Sequence, residues 1–246
     1  MRDCLIIIPT YNEKENISAI IPYTLKLSDR FEILVIEDGS PDGTAKIVSA
    51  LMLEHPGRIH MIERSGKLGL GTAYITGFKW ALENEYSYIF EMDADFSHPP
   101  YKLLELLESC EHKNAYLAVG SRYVKGGGVV DWPADRLFLS WFASKYVRLI
   151  TGMRVKDTTA GFVCFRKETL QQIDFEKIKF AGYAFQIEMK FAVWLAGLKI
   201  AEVPIQFKDR EVGTSKMSGS IIKEAVWGVL KMKWQSLKNK RHYALK

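Results

Sequence analysis

Ile89-Phe90-Glu91-Met92-Asp93-Ala94-Asp95-Phe96-Ser97-His98-Pro99-Pro100 is the stretch around which the chain is organised. An apolar-rich strand runs into two carboxylates spaced i, i+2, and the Pro-Pro pair then stops the strand. On a continuous strand Asp93 and Asp95 share a face; at a strand end they can converge on one ion while the chain turns away. Two carboxylates about 4 Å apart repel by roughly 4 kcal/mol near a protein surface, and a divalent cation relieves that repulsion. Hard oxygen ligands, with no Cys or His at metal spacing, point to Mg²⁺ or Mn²⁺. Taken alone, the triplet is explained equally well by a solvated turn.

Its surroundings break the tie. Cys4 to Pro9 is a continuous apolar run, the pattern of a strand buried on both faces of a parallel sheet. Asn12, with Glu15 three residues on, predicts a helix N-cap and a helix to about Leu27. Glu32 to Ile36 reads as a second strand, and the Gly-, Pro- and Asp-rich turn from Glu37 to Thr44 opens a helix through about Leu53. A short strand near Ile59–Ile62 leads to Gly69-Leu70-Gly71 and a helix to about Leu82. The β-α-β-α-β-α-β alternation predicts an α/β fold with a doubly wound, mostly parallel sheet and helices on both faces. Ligands of such sheets bind beyond the carboxyl ends of the strands. Those ends carry Tyr11 and Glu13, Glu37 and Asp38, Lys67, and Asp93 with Asp95, so the acidic clusters of this half converge on one rim. That convergence favours a site.

Further along, a helix to about Cys110, strands at Tyr116–Gly120 and Val163–Arg166, a helix near Phe185–Ala196 and an edge strand around Pro204 complete the pattern. Gly126-Gly127-Gly128 reads as a hinge. The segment from about Ala134 to Ile150 is aromatic and apolar, yet carries Arg136, Lys145 and Arg148; packing on the core is the simpler expectation for it, an interfacial position the other. Trp227 and Trp234, seven apart on a last helix beginning near Ser220, likewise have the spacing of core residues. From Lys231 onward the chain holds six Lys/Arg and no acid, so residues 220–246 read as a basic amphipathic helix and tail.

Composition excludes much. The 246 residues are 48% hydrophobic and 26% charged, ordinary for a soluble protein, and no repeat or linker divides them, so residues 1–246 read as one domain. A net charge of +5 is too modest to imply a nucleic-acid partner. Cys4, Cys110 and Cys164 show no C-x-x-C pattern and read as inert thiols in a reducing compartment. The first strand starts almost at once, which leaves no room for a signal peptide, and no apolar run reaches the roughly 18 residues of a membrane span.

Several stretches together resemble the family 2 glycosyltransferases, and most closely the dolichol-phosphate (polyprenol-phosphate) mannose synthases. They are Ile8-Pro9-Thr10-Tyr11-Asn12-Glu13, the turn from Glu37 to Thr44, Gly69-Leu70-Gly71-Thr72-Ala73-Tyr74, Met92 to Pro99, Gly120-Ser121-Arg122-Tyr123, Asp157 to Phe162, Gly182 to Glu188 and Arg210 to Lys216. The resemblance spans nearly the whole chain in order. It implies a GT-A fold and inverting transfer of mannose from GDP-mannose to a polyprenyl phosphate. By that likeness Pro9, Tyr11, Glu13 and Asp38 hold the guanine and ribose, with Glu37 nearby, and Asp93 touches sugar or ribose. Asp95 ligates the metal, aided by Ser97 where some relatives carry Gln. Arg122, Arg210 and Lys216 contact phosphates, and Arg136 and Asp157 lie on the acceptor side. Some members of the family carry C-terminal membrane spans. A chain ending in a basic amphipathic helix implies peripheral attachment to an anionic membrane surface on its cytoplasmic face, and is compatible with a membrane-anchoring partner protein.

The chemistry is coherent with that likeness. Displacing a nucleoside diphosphate leaves extra negative charge, which a metal at Asp95 and cations such as Lys67, Arg210 and Lys216 would stabilise. A phosphate monoester, with a second pKa of about 6, arrives largely ionised, so Asp157 is expected to orient cationic side chains rather than act as a base. Three rivals stand beside this reading. Gly69-Leu70-Gly71 after a strand resembles a nicotinamide-dinucleotide fingerprint, although Tyr74 occupies the third small position. A non-catalytic nucleotide-binding module is the second, and the same fold with UDP-glucose or another donor the third.

Overall fold

A computed structural model describes residues 2–208, 219–239 and 242–244. Four parallel strands, β1 (Cys4–Thr10), β2 (Phe31–Glu37), β3 (Ile59–Glu63) and β4 (Tyr88–Glu91), alternate with α1 (Lys14–Leu27), α2 (Thr44–Glu54) and α3 (Leu70–Glu83). After α4 (Leu103–Glu111) come β5 (Leu117–Ser121), β6 (Gly128–Val130), α5 (Ala134–Thr151), β7 (Val163–Arg166), α6 (Lys167–Leu170) and α7 (Tyr183–Leu195). β8 (Ile200–Pro204), β9 (Gln206–Lys208) and α8 (Gly219–Lys238) complete the order. The main sheet runs β3-β2-β1-β4-β7-β5-β8. Only β7 is antiparallel to its neighbours. The doubly wound, mostly parallel sheet expected from the alternation is therefore present, with one reversed strand at its centre.

The sheet is buried on both sides, as the unbroken apolar runs of β1 and β2 require. Leu5, Ile7, Leu34 and Ile36 face Ala73, Phe78 and Phe185 of α3 and α7. Ile6, Ile8, Ile33 and Val35 face Ile17 and Ile21 of α1, Val48 of α2 and Leu106 of α4. Burying each such side chain contributes about 1.5–3 kcal/mol. Cys4, Cys110 and Cys164 are free thiols in this core, as expected. Pro204 closes β8, which lies at the sheet edge.

Four local expectations are corrected. Asn12 does not cap α1: it adopts φ 57°, and the helix starts at Lys14. The amides of Asn12, Glu13 and Lys14 are instead satisfied by Ser40 Oγ, Thr44 Oγ1 and Asp42 Oδ2 of the next β-α loop. Gly126-Gly127-Gly128 stands in a confined turn rather than an open loop. A Cβ on Gly127 would lie 2.5 Å from the Ser121 carbonyl, and Gly128 opens β6, which pairs with β9. Core packing fails for α5, whose buried residues are Ser144, Val147 and Thr151 while Phe138 is 65% exposed. It fails also for Trp227 and Trp234, 73% and 57% exposed, because Val229 and Met232 form the buried stripe of α8. The two helices meet, Tyr146 Oη donating to the Val226 carbonyl at 3.1 Å. No described helix is long and apolar enough to cross a membrane.

The glycines of Gly69-Leu70-Gly71 serve packing. The Gly71 amide donates to the Ala181 carbonyl at 2.8 Å, and a Cβ there would stand 2.7 Å from the Phe180 carbonyl. This close approach seats the start of α3 against the segment before α7 and accounts for the glycines without a dinucleotide. Gly71→Ala is expected to cost about 1–3 kcal/mol by overpacking, measured as a lower urea midpoint with unchanged slope.

Candidate active site

The carboxyl ends of β1, β2 and β4 open on one rim, and the reversal of β7 brings the loop before it, residues 157–162, to the same rim. Register fixes this: Thr10 lies opposite Glu37, Ile7 opposite Glu91, and Glu91 opposite Val163. Glu37 is 1% exposed, and its carboxylate accepts the amides of Gly39 (2.8 Å) and Ser40 (2.7 Å), so it shapes the loop from below. Asp38 forms a two-pronged pair with Arg64, at 2.6 and 2.7 Å. Arg64 also donates to Thr72 Oγ1, and its amide is anchored on the Glu37 carbonyl. Pro9 is half-buried within β1, next to Tyr11 and Glu13, and the Lys67 ammonium lies 5.3 Å from the Tyr11 ring centre. Asp42, which burial alone would push up, is held below the usual carboxylate range by the Thr44 hydroxyl and the amides of Thr44 and Lys14.

Past β4 the chain turns sharply. The Asp93 amide donates to His98 Nδ1 at 3.0 Å, and the His98 ring stacks on Phe162. His98 is thus a turn residue. The Asp93 side chain is 41% exposed. Asp95 is 7% exposed, and its Oδ1 accepts the amide (3.1 Å) and hydroxyl (2.6 Å) of Ser97. Phe96 between them has φ 60°, a conformation side chains rarely adopt, and it lets Asp95 and Ser97 point the same way. Beneath them Tyr74 Oη is buried and, among the described residues, has no hydrogen-bond partner. Burial first, then the nearby charges of Asp93, Glu91 and Asp95, keep that phenol protonated far above its usual range.

A metal would fit here. Asp95 and Ser97 offer adjacent hard oxygens, with Asp93 on the same turn, and among the described residues no group of three or more His, Cys, Asp or Glu stands together. That donor set suits Mg²⁺ or Mn²⁺ completed by substrate phosphate oxygens and water rather than by a cage of protein ligands.

Opposite lies a dry ion pair. Arg122 Nε and Nη2 donate to the two oxygens of Asp157 at 2.7 Å each, and the Arg122 amide adds a third bond at 3.0 Å. The side chains are 9% and 0% exposed. Thr159 Oγ1 accepts a further bond, and the rings of Tyr123, Trp132 and Phe207 surround the guanidinium. Arg136 sits 4.0 Å over Trp132. Burial opposes ionisation of Asp157, but the charge and bonds of Arg122 outweigh it and hold the carboxyl below its usual range.

Between the two halves runs a buried polar relay. Lys190 Nζ donates to the Ala160 carbonyl at 2.5 Å and to Gln186, whose amide in turn bonds Glu91. Burial raises Glu91 and lowers Lys190, each leaving its ordinary range. The loop carrying Asp157 is therefore tied to β4, the strand that leads into the turn carrying Asp93. In the sequence Arg64 and Lys190 carry no assigned role, and Tyr74 and Gln186 stand only as members of longer motifs. Arg64 follows β3 and so belongs to the rim by topology; Gln186 and Lys190, at i and i+4 on a mostly apolar α7 whose other charged residue is Glu188, carry the signature of an internal polar pair. Arg210 and Lys216 lie outside the described residues.

Comparison with known proteins agrees with this architecture. The sequence profile of Glycosyl transferase family 2 matches residues 5–174. Polyprenol monophosphomannose synthase of Mycolicibacterium smegmatis is 46% identical over 230 residues, covering 92% of this chain and 86% of that protein. Undecaprenyl-phosphate mannosyltransferase of Micrococcus luteus is 44% identical over 239 residues, covering 95% and 97%. Among solved structures, glucosyl-3-phosphoglycerate synthase from Mycobacterium tuberculosis with Mn²⁺, UDP and glucosyl-3-phosphoglycerate superimposes with a TM-score of 0.66 at 17% identity, over 100% of this chain and 82% of that one. The shared fold is GT-A.

Removing one partner of the dry pair exposes its cost. Arg122→Met should lower stability by about 3–5 kcal/mol, and adding Asp157→Asn should return part of the loss, as read by urea unfolding. The folded Asp157 carboxyl lies below its unfolded value of about 3.9, so the pair stabilises fully above that pH and fades as pH falls through the folded value. The stability gap between the parent and Arg122→Met should therefore narrow as pH falls below about 4, because burial then favours the protonated Asp157 of the variant.

Proposed function

The chain belongs to glycosyl transferase family 2 and is a glycosyltransferase; we propose that it moves mannose from GDP-mannose to a polyprenyl phosphate, with inversion at the anomeric carbon. The observation that carries the acceptor class is the state of Asp157. It is 0% exposed, both its oxygens are held by Arg122, and it stays ionised, so it is committed to positioning rather than to taking a proton. An alcohol acceptor needs a base at this point, whereas a phosphate monoester with a second pKa of about 6 is already a nucleophile. The two relatives described above, named for mannosyl transfer and for polyprenyl substrates, support the sugar and the lipid.

On this reading an acceptor phosphate oxygen forms the new bond to the anomeric carbon from the face opposite the diphosphate. The old glycosidic C–O bond breaks, and its electron pair leaves with GDP. Pro9, Tyr11, Glu13 and Asp38 contact the guanosine, while Glu37 and Arg64 hold the loop that carries Asp38. Asp93 reaches sugar or ribose. Asp95 and Ser97 would hold the metal, which when bound neutralises charge developing on the leaving diphosphate. Lys67, Arg122, Arg210 and Lys216 complete the phosphate contacts, and Arg136 with Asp157 frames the acceptor. Attachment is peripheral, on the cytoplasmic face of a membrane, through the outward aromatic and basic residues of α5 and α8.

Asp95→Asn is expected to lower kcat about 10²–10³-fold with the fold retained, and chelation should abolish turnover until Mg²⁺ or Mn²⁺ is restored. In a donor panel with a short polyprenyl phosphate, GDP-mannose should give product; turnover of UDP-glucose alone would overturn the donor assignment. Deleting residues 231–246 should reduce co-sedimentation with anionic vesicles, and unchanged binding would refute the role given to α8.

A further inference from the structure

Near its end the chain folds back through contacts that the transfer reaction leaves unused. Tyr243 is buried, its ring set edge-on to Phe191 of α7 at 6.4 Å between centres. Its carbonyl accepts the Asp174 amide at 2.8 Å, and Ala244 pairs with Ile173 in a short antiparallel bridge. Residues 242–244 are thus strapped to the segment between α6 and α7. Within the strap the Tyr243 hydroxyl donates to Glu188 Oε1 at 3.0 Å. Glu188 is itself buried, and its Oε2 accepts the amides of Lys179 and Phe180 at 2.9 and 3.1 Å. Burial pushes this carboxyl up, and the two amides and the phenol, each bonded to the ionised form, oppose that shift. Without the phenol, Oε1 would lose a donor where water is excluded.

The segment that Glu188 holds is the one that seats α3. Ala181, next to Phe180, accepts the Gly71 amide at 2.8 Å, and the Phe180 carbonyl lies too close to Gly71 to admit a side chain there. One residue on, Thr72 Oγ1 accepts Arg64 Nη1 at 2.8 Å, and Arg64 grips Asp38 with two bonds. Hydrogen bonds and adjacent backbone therefore lead without a gap from Tyr243, through Glu188, residues 179–181, Gly71, Thr72 and Arg64, to Asp38 on the rim.

We propose that Tyr243 is a positioning residue for the nucleotide side of the rim: through Glu188 it holds residues 179–181 so that α3 presents Thr72 to Arg64, and Arg64 to Asp38. This rests on the reading that places the nucleoside of the donor at Asp38. Tyr243 touches neither substrate and acts only through the loop that does. The acceptor side is framed separately, by the bonds between Arg122 and Asp157. The tail should therefore matter for nucleotide affinity and not for the acceptor.

The test uses the full chain, with GDP and Mg²⁺ in calorimetry, and UDP in place of GDP where the parent binds that instead. Tyr243→Phe removes one hydroxyl and should weaken nucleotide binding about three- to tenfold, raising the donor KM by a similar factor and leaving the acceptor KM unchanged. The effect should run through Arg64: in an Arg64→Gln background, Tyr243→Phe should add less than about twofold. Leu106→Val, a core change on the other face of the sheet, should leave nucleotide binding unchanged. Circular dichroism checks that each variant folds, and if Arg64→Gln does not, the split between the two KM values in Tyr243→Phe decides. Unchanged nucleotide affinity in Tyr243→Phe, equal rises in both KM values, full additivity with Arg64→Gln, or an equal loss in Leu106→Val overturns the proposal. The parent alone tests the donor reading: GDP binding supports it whatever the variants do, and a parent that binds neither nucleotide overturns both.

Discussion

The dry pair between Arg122 and Asp157 is the constraint on which the site rests. A carboxylate with no solvent access is tolerable only because a guanidinium meets both oxygens and an amide adds a third bond. That requirement explains the surrounding architecture. β7 must run against its neighbours so that the loop before it reaches the end of β5, where Arg122 begins. Three aromatic rings then keep water from the guanidinium.

The rest of the rim follows a division of charge. Acids gather at the ends of β2 and β4, and each is either consumed by loop amides, as Glu37 is, matched by a cation, as Asp38 is by Arg64, or left partly exposed, as Asp93 is. Lys190 lies below, compensating Glu91 through Gln186 and steadying the Ala160 carbonyl. The acidic and basic halves are thus mechanically joined, which keeps the two sides of the rim at a fixed distance without the two charges meeting.

What was legible in the sequence was what depends on short-range pattern. Cys4–Pro9 and Glu32–Ile36 are unbroken apolar runs because parallel strands bury both faces, and the carboxyl-end rule then gathers Tyr11, Asp38 and Asp95 on one rim. What was hidden depends on contacts between distant segments. Asn12 looks like a cap, yet the amides there are met by Ser40, Thr44 and Asp42 of another loop. Arg64 becomes a rim residue only through the register that sets Glu63 beside Glu37. The aromatic stripes of α5 and α8 have the periodicity of core helices, and only the fold shows that Phe138, Trp227 and Trp234 face outward. A membrane and a protein core ask for the same spacing.

The central claim is that the acceptor needs to be held, not deprotonated. The most direct measure is the pH dependence of kcat with a polyprenyl phosphate, for the parent and for Asp157→Asn. The account predicts an acidic limb near the second ionisation of the phosphate, about pH 6, in both proteins, with the variant slower at every pH. An acidic limb that is present in the parent and vanishes in Asp157→Asn would make Asp157 the titrating base and contradict the account.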